Sequence, residues 1–246
     1  PIDTKQSNFN FNISHQYSTS KRNSFSQINF RQHRQSFYGL PSVIEDEYIL
    51  SNFDPVQRLT YFSITSDWKW YDRIIKGFTL NSYYTADSFS TRENEISFTS
   101  KFQLNFGSIN LTAIPKINII STNFKEDFYT RLENDLFSGT GGISIYSSKE
   151  KGRFKFKLGI QSYLITGDEY AEKTFYYFPD FMIAFKPENS NFSPFLNING
   201  EFYQNSFRAL SHLNPYVAPA IRLRSSFLPY KIELGTRSSL SKGWEF

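Results

Sequence analysis

Three histidines are the side chains of this chain best suited to acid–base chemistry near neutral pH. His15, His33 and His212 lie far apart in the sequence, and none belongs to an H-E-x-x-H zinc motif. No G-x-S-x-G nucleophile elbow accompanies them. His15 also shares the alternating phase of Phe9 and Ile13, the apolar phase of its segment. Because no nucleophile and base stand at a workable spacing, the sequence predicts no catalytic residue and no enzyme.

Acidic residues cluster at three places that read as loops. They are Glu45, Asp46, Glu47, Glu126, Asp127, Asp168 and Glu169. Carboxylate oxygens suit Ca²⁺, but none of these clusters has the spacing of an EF-hand loop, so we expect solvated loops and no metal. Gly139, Gly141 and Gly142 could cradle a phosphate, yet no helix pattern follows them. We expect a flexible entry into a strand there, and no cofactor.

Alternation of apolar and polar residues runs through most of the chain. In residues 153–165 (RFKFKLGIQSYLI), every second residue from Phe154 to Ile160 is apolar, and Lys155 and Lys157 stand between. This period of two predicts β-strands with one apolar and one polar face. Aromatic residues make up 19% of the chain, which also favours strands. We count roughly 12 strands, many of about 9–13 residues, whereas ordinary strands average about 5–6 and membrane-spanning strands need about 9–11.

The connections between these segments alternate in length from residue 74 onward. Segments 86–94, 121–141, 166–174 and 204–215 read as long, whereas 106–108, 147–152, 186–191 and 225–229 read as short. Outer-membrane barrels have short turns at one end and longer loops at the other. A soluble sandwich has no reason to keep this rhythm, so the connections favour a membrane barrel.

The two faces of the strands predict two environments. The apolar phase predicts lipid-facing residues: Phe98, Phe102, Leu104, Phe154, Phe156, Leu158 and Ile160. The opposite phase predicts basic residues facing the lumen: Lys101, Lys155, Lys157, Arg222, Arg224 and Arg237. A positive lumen wall would favour anions, or these side chains pair with carboxylates in a packed lumen, and the sequence leaves both open. Lys76 shares an apolar phase, so we expect it near the rim of the barrel, where its long chain reaches polar surroundings.

Composition excludes several other classes of protein. The chain has no cysteine, which excludes disulfides and thiolate metal sites. The net charge is +4, and no dense run of Lys and Arg indicates nucleic-acid binding. No apolar run approaches the ~18 residues of a membrane-spanning helix. Tyr and Trp concentrate near the expected strand ends, which is typical of the aromatic girdles at membrane interfaces.

Three segments carry a resemblance to a known family. They are residues 51–55 (SNFDP) before a strand, residues 87–94 (DSFSTREN) in an expected loop, and residues 213–219 (LNPYVAP) at a strand entry. On these segments, residues 50–246 resemble outer-membrane β-barrels of the TonB-dependent-receptor-like kind. The resemblance implies a barrel in the outer membrane, often with a periplasmic N-terminal part. The sequence shows no recognisable plug domain and no box for the energising partner, so the resemblance supports the barrel more than energy-coupled uptake.

We therefore expect an all-β, transmembrane, antiparallel up-and-down β-barrel of about 14 strands. Residues 1–246 would form this single domain, incomplete at both ends, with a further strand starting at residues 244–246 (WEF). The expected function is a non-enzymatic transport or receptor barrel in the outer membrane of a Gram-negative bacterium. An accessory barrel subunit of an assembly or secretion complex is the alternative, and a soluble β-sandwich binding module is the second. The expected partners are membrane lipid and other outer-membrane or periplasmic proteins, with no nucleic acid.

Overall fold

The structure, a computed structural model, describes residues 6–36, 56–107, 109–125, 134–167, 174–187, 192–214, 223–241 and 244–245. These residues form twelve strands and one short helix. The strands are β1 (Gln6–Ser18), β2 (Arg22–Ser36), β3 (Val56–Trp70), β4 (Ile75–Asp87), β5 (Thr91–Phe106), β6 (Ile109–Phe124), β7 (Asn134–Lys151), β8 (Phe154–Thr166), β9 (Phe175–Phe185), β10 (Phe192–Tyr203), β11 (Ser226–Ser241) and β12 (Trp244–Glu245). Helix α1 (Phe207–Leu213) lies between β10 and β11.

The strands form one antiparallel sheet in which each strand pairs with its neighbours in sequence, from β1 to β12. The prediction of an all-β, antiparallel, up-and-down fold is confirmed. The pairing is long: β2 and β3 are in register from Arg22 opposite Trp70 to Ser36 opposite Val56. The predicted strand start near residue 244 is also confirmed, since Trp244 pairs with Ser241. Among the described residues no pairing joins β1 to β11 or β12, so this part of the sheet has two free edges.

Helix α1 distinguishes the two faces of the sheet. It packs against Leu59 and Tyr61 of β3 and against Phe124 of β6. We call the face that carries these residues the inner face, and the opposite one the outer face. Because side chains alternate along a strand and directly paired residues point to the same side, the pairing registers assign most other strand residues to a face.

The connections fall into two sets, one at each of the two edges of the sheet that are formed by the ends of the strands. Residues 19–21, 71–74, 107–108, 152–153, 186–191 and 242–243 connect strands at one edge and are two to six residues long. We call this the short-turn edge. Residues 37–55, 88–90, 125–133, 167–174 and 204–225 connect strands at the other edge, the long-loop edge. The predicted alternation of short and long connections is confirmed except at two places, the short turn predicted at residues 225–229 and the long loop predicted at residues 86–94.

The predicted long loop at residues 86–94 is wrong, because only residues 88–90 connect β4 and β5. The Asp87 carboxylate accepts hydrogen bonds from the backbone N–H groups of Phe89 at 2.9 Å and Thr91 at 2.8 Å. Ser90 has a positive φ of 64°. An Asp side chain that closes a tight turn in this way is a common alternative to a long loop. The polar run therefore belongs largely to β4 and β5.

The predicted short turn at residues 225–229 is also wrong, because β11 begins at Ser226. Pro229 suggested a turn, but the register of β10 and β11 shifts between Asn199 and Glu201, and Pro229 lies within the resulting bulge of β11. A proline is tolerated at a bulge because its missing N–H interrupts no regular ladder bond there.

The glycine-rich segment likewise lies inside a strand rather than at a strand entry. Gly139, Gly141 and Gly142 all belong to β7. A Cβ atom at Gly142 would lie 2.7 Å from the ring of Tyr163, its paired residue on β8. The absence of a side chain at residue 142 lets the Tyr163 ring lie flat against the inner face, so the glycine serves packing between strands.

Candidate functional site

The outer face is apolar and carries charge only near the strand ends. Among the described residues, every outer-face Asp, Glu, Lys or Arg lies within three residues of a strand end: Arg22, Arg34, Arg58, Lys76, Arg92, Asp135, Lys149 and Lys151. On β7 the uncharged stretch from Phe137 to Ser147 spans about 33 Å at about 3.3 Å per residue. At a strand tilt of about 45° it corresponds to a band of about 23 Å.

All seven residues predicted to face lipid lie on this outer face. Phe98, Phe154, Phe156, Leu158 and Ile160 are exposed, whereas Phe102 and Leu104 are half-buried. Leu158 is the most open of them, with 70% of its surface accessible. Lys76 lies at the short-turn edge, where its Nζ donates to the backbone oxygen of Tyr71 at 2.9 Å. Lys76 thus lies at a strand end, one residue from the start of β4.

The inner face carries charges both near the strand ends and in mid-strand, where Lys116 and Asp180 lie. Four of the six basic residues predicted to line a lumen lie there: Lys101, Lys155, Lys157 and Arg237. Arg224 lies just before β11 and is exposed, and Arg222 lies outside the described residues. The structure therefore separates charge and apolar surface by face, as the alternation predicts.

Carboxylates balance part of this basic wall. Lys157 binds Asp180 on β9, with Nζ 2.6 Å and 2.8 Å from the two carboxylate oxygens. The Lys157 ammonium also lies 4.4 Å from the centre of the Tyr146 ring. Lys155 pairs with Glu150 across β7 and β8 at 3.4 Å. Asp180 is buried, so the first pair is the stronger constraint, and the exposed pair with Glu150 contributes little.

Helix α1 forms because its sequence satisfies both of its ends. The Ser206 hydroxyl accepts from the backbone N–H of Ala209 at 3.1 Å, as an N-cap residue does. The N–H of Asn214 donates to the carbonyl of Leu210 at 2.8 Å. With only seven residues, the helix is too short to be stable alone, so tertiary contacts must hold it on the sheet.

Two carboxylates on β5 hold the first turn of α1. Glu93 accepts from the backbone N–H groups of Phe207 at 2.7 Å and Arg208 at 2.8 Å, and from the hydroxyl of Thr122. Glu95 binds the Arg208 guanidinium through two nitrogens, at 2.7 Å and 2.8 Å. The same guanidinium lies 4.0 Å from the centre of the Tyr83 ring. Charge-assisted hydrogen bonds of this kind are the strong ones in proteins.

An apolar and aromatic cluster holds the rest of the helix. Phe207 is fully buried and meets Phe124 edge-on, with ring centres 6.2 Å apart. Tyr61 donates its hydroxyl to Ser211 at 3.2 Å and stacks on His212 with ring centres 4.3 Å apart. Burial, together with the nearby charges of Arg208 and Arg31, lowers the pKa of His212 below its ordinary value. His212 is therefore neutral at pH 7 in the folded chain.

The segment before the helix also crosses the inner face. Gln204 accepts from the Asn118 amide on β6 at 3.1 Å and donates to the Ser138 hydroxyl on β7 at 2.8 Å. The residue that follows β10 thus contacts strands that are three and four positions away from β10 in the sheet order. These contacts with β6 and β7, and those of α1 with β5, require the sheet to curl around α1.

Sequence patterns did not reveal this arrangement. Glu93 stood in the expected loop at 86–94, and the helix was too short to give an amphipathic pattern. The N-cap serine was the one local signal, and it does not indicate the contact with β5. Of the histidines, His15 lies on the outer face, His33 on the inner face of β2 and His212 in α1. The acidic clusters at 45–47, 126–127 and 168–169 lie outside the described residues.

Compared with known proteins, the chain matches no protein-family model and no curated protein sequence. In the part of the chain that the structure describes, no helix is long and apolar enough to cross a membrane. The same residues contain no group of three or more His, Asp or Glu side chains placed to hold a metal ion. The two faces of the sheet and the helix on its inner face are therefore the features from which function must be argued.

Proposed function

We propose that the sheet closes into an outer-membrane β-barrel of the transport or receptor type, non-enzymatic and crossed inside by α1. The observation that carries this proposal is the separation of charge by face. The outer face has an uncharged band of about 23 Å with charges at both edges, close to the apolar band of about 25 Å in outer-membrane barrels. The inner face carries Lys116, Asp180 and Glu95 more than three residues from either strand end, which suits a polar interior.

The reach of α1 supports closure of the sheet. Along a flat sheet, β10 and β3 would lie seven strand spacings apart, about 34 Å at about 4.8 Å per spacing. A helix of seven residues is only about 10 Å long, yet α1 follows β10 closely and contacts Tyr61 on β3. The sheet must therefore curl strongly toward its inner face. Free strand edges are not tolerated in lipid, so the edges of β1 and β11 would be closed by further pairing, in a barrel of about 14 strands.

The packing of α1 favours a gated interior over a permanently open pore. Phe207 and Phe124 are fully buried where the helix meets the sheet, and Glu93 and Glu95 fix its first turn. The same occupied interior is compatible with the alternative function, an accessory barrel subunit of a larger outer-membrane complex. Current through the barrel distinguishes the two, because an accessory subunit needs no conducting path.

Membrane insertion is tested first. The protein is expressed in a Gram-negative host, and the outer-membrane fraction is washed with urea and compared with the soluble fraction. We expect to find the chain in the washed membranes. Its electrophoretic mobility should differ between boiled and unboiled samples, as it does for closed barrels. Recovery as a soluble monomer without detergent would contradict the proposal and favour the soluble sandwich.

Conductance is tested next, with Glu93→Gln/Glu95→Gln set against a control, Glu150→Gln. Both variants remove carboxylates, but Glu150 lies in an exposed pair far from α1. In planar bilayers we expect small currents from the wild type and the control and larger ones from the double variant, because the helix loses its charged anchors. A fully inserted double variant without current would remove the pore and leave the accessory subunit, which co-purification in mild detergent would then address.

A further inference from the structure

A cleft opens on the outer face at the short-turn edge, between the turn at residues 19–21 and the turn at residues 71–74. Its volume is about 630 Å³, and its lining includes Lys21, Arg22, Arg73, Trp68 and Trp70. The cleft lies at the end of the uncharged band, where the apolar strands give way to the turns. The cleft is separate from helix α1, which lies on the inner face, and from the proposed transport path inside the barrel.

Backbone hydrogen bonds, one between the two turns and others within the first turn, fix the shape of the cleft. The backbone N–H of Tyr71 donates to the carbonyl of Lys21 at 3.2 Å, so the turns are joined directly. Within the first turn, the Thr19 N–H donates to the carbonyl of Arg22 at 2.8 Å, and the Arg22 N–H donates to the Thr19 hydroxyl at 3.1 Å. The cleft is therefore formed by folded backbone rather than by side chains alone.

The charge of the cleft is positive. Lys21, Arg22 and Arg73 oppose a single carboxylate, Asp72. Within the described part of the chain, none of these three cations forms an ion pair with a carboxylate. The Arg22 guanidinium instead lies 4.9 Å from the centre of the Tyr17 ring. Two arginines and one lysine suit the oxygens of a phosphate group, because the planar guanidinium of arginine can donate two parallel hydrogen bonds to them.

Aromatic rings form the wall of the cleft toward the apolar band. Trp68 and Trp70 stack with centres 6.3 Å apart, and Phe78 packs against both at 6.1 Å and 5.7 Å. The Trp68 indole N–H donates to the Ser66 hydroxyl at 2.9 Å, which fixes its ring. Tryptophan prefers the boundary between lipid tails and headgroups. Cations beside such rings, on a face directed to lipid, lie at the level of lipid phosphates.

We propose that this cleft binds the phosphate of an anionic phospholipid headgroup, with Lys21, Arg22 and Arg73 as donors and Trp68 and Trp70 against the upper part of the acyl chains. The inference rests on the membrane insertion proposed above and goes beyond it by assigning a specific lipid site. Because short turns of outer-membrane barrels face the periplasm, the lipid belongs to the inner leaflet of the outer membrane.

The two tryptophans serve as built-in probes for this site. The chain has three tryptophans, so a Trp244→Phe background leaves the fluorescence to Trp68 and Trp70. The protein is refolded into vesicles that contain brominated phosphatidylglycerol or brominated phosphatidylcholine, and quenching gives the relative affinity for the anionic lipid. The cleft variant is Lys21→Gln/Arg22→Gln/Arg73→Gln. The control, Lys149→Gln/Lys151→Gln/Arg153→Gln, removes the same charge at the same edge, from the end of β7 and the turn that follows it.

We expect the preference for the anionic lipid to fall at least tenfold in the cleft variant. Each basic residue near an anionic surface raises the affinity about fivefold. The control should change it less than twofold. Equal losses in both variants would show that general surface charge causes the preference, and would overturn the proposed site. Displacement of the lipid by inorganic phosphate, but not by chloride at equal ionic strength, would assign the cleft to free phosphate instead.

Insertion is measured on the same samples by circular dichroism and by mobility on unboiled gels, which separates the two proposals. A chain that fails to insert shows quenching by neither lipid and contradicts both. A chain that inserts and is quenched equally by both lipids contradicts the lipid site alone.

Discussion

The substitution Ile117→Arg tests the environment of the outer face most directly. Ile117 is half-exposed on β6 and lies at the centre of the uncharged band. Toward the long-loop edge, Asn123 pairs with Arg92 on one side and Asp135 on the other, which marks the charged rim. Toward the short-turn edge, the register of β6 and β7 brings Lys149 level with the start of β6. Ile117 and Pro115 are therefore the two outer-face positions of β6 farthest from both rims.

The expected magnitude depends on depth, and β6 itself provides the control. Ser121 is exposed on the same face, two residues from the rim at Asn123. An Arg at the midplane of a barrel costs about 2–4 kcal/mol of stability, and one near the interface costs about 0–1 kcal/mol. We expect Ile117→Arg to reduce the free energy of unfolding in lipid vesicles by about 2 kcal/mol more than Ser121→Arg does. In water, exposed substitutions usually change stability by no more than about 0.5 kcal/mol.

The assay is equilibrium unfolding by guanidinium chloride in lipid vesicles, followed by tryptophan fluorescence. Both variants should keep the wild-type slope with denaturant, so that the shift of the midpoint reports stability alone. If the two variants differ by less than about 0.5 kcal/mol, or if Ile117→Arg makes the chain more soluble without detergent and leaves it folded, the outer face meets water. The barrel would then be refuted, because no membrane protein exposes an arginine at mid-band without cost.

Three further predictions concern the inner face. Glu93→Gln should weaken the charge-assisted hydrogen bonds to α1 by about 1.5–3 kcal/mol, and limited proteolysis should cut residues 204–225 faster than in Glu150→Gln; equal rates would contradict the anchoring role. Because the pKa of His212 is lowered on folding, the unfolded chain takes up the proton first. The stability contributed by neutral His212 is present above about pH 6.5 and is lost as the pH falls below it; a stability profile unchanged by His212→Gln between pH 7 and 5 would speak against this. Asp180→Asn leaves Lys157 half-buried without its carboxylate and should cost about 2–3 kcal/mol in denaturant unfolding, whereas no measurable loss would show that the pair is solvated.

The sequence predicted those features that depend on neighbouring residues along one strand. Alternation assigned Phe98, Phe154 and Leu158 to one face and Lys155 and Lys157 to the other, because a period of two requires no knowledge of the partner strands. Strand lengths were underestimated, since β5 and β7 continue through polar residues that read as loops. A pattern based on hydrophobicity ends where the polar residues begin, but the hydrogen-bond ladder does not.

The candidate site depends on contacts that no local pattern contains. Glu93 and Phe207 are 114 residues apart in the chain, and their contact requires the sheet to curl until β10 approaches β5. A short helix with a serine cap gives no indication of which strand it will meet. The turn at residues 88–90 was missed for a local reason, because one hydrogen-bonding carboxylate, Asp87, replaces a loop of several residues. Long-range geometry therefore explains the omitted site, and local side-chain bonding explains the wrong loop.

The inner face also changes which basic residues matter for an ionic interior. Lys157 is paired with buried Asp180 and Lys155 with Glu150, so their charges are balanced within the wall itself. Lys101 faces inward and, among the described residues, has no carboxylate partner. A preference for anions in the proposed barrel would therefore rest on Lys101 more than on the two paired lysines, although all three were equivalent in the sequence. An alternating pattern indicates which residues share a face, but only the partners across the strands determine whether a charge on that face is available to a passing ion.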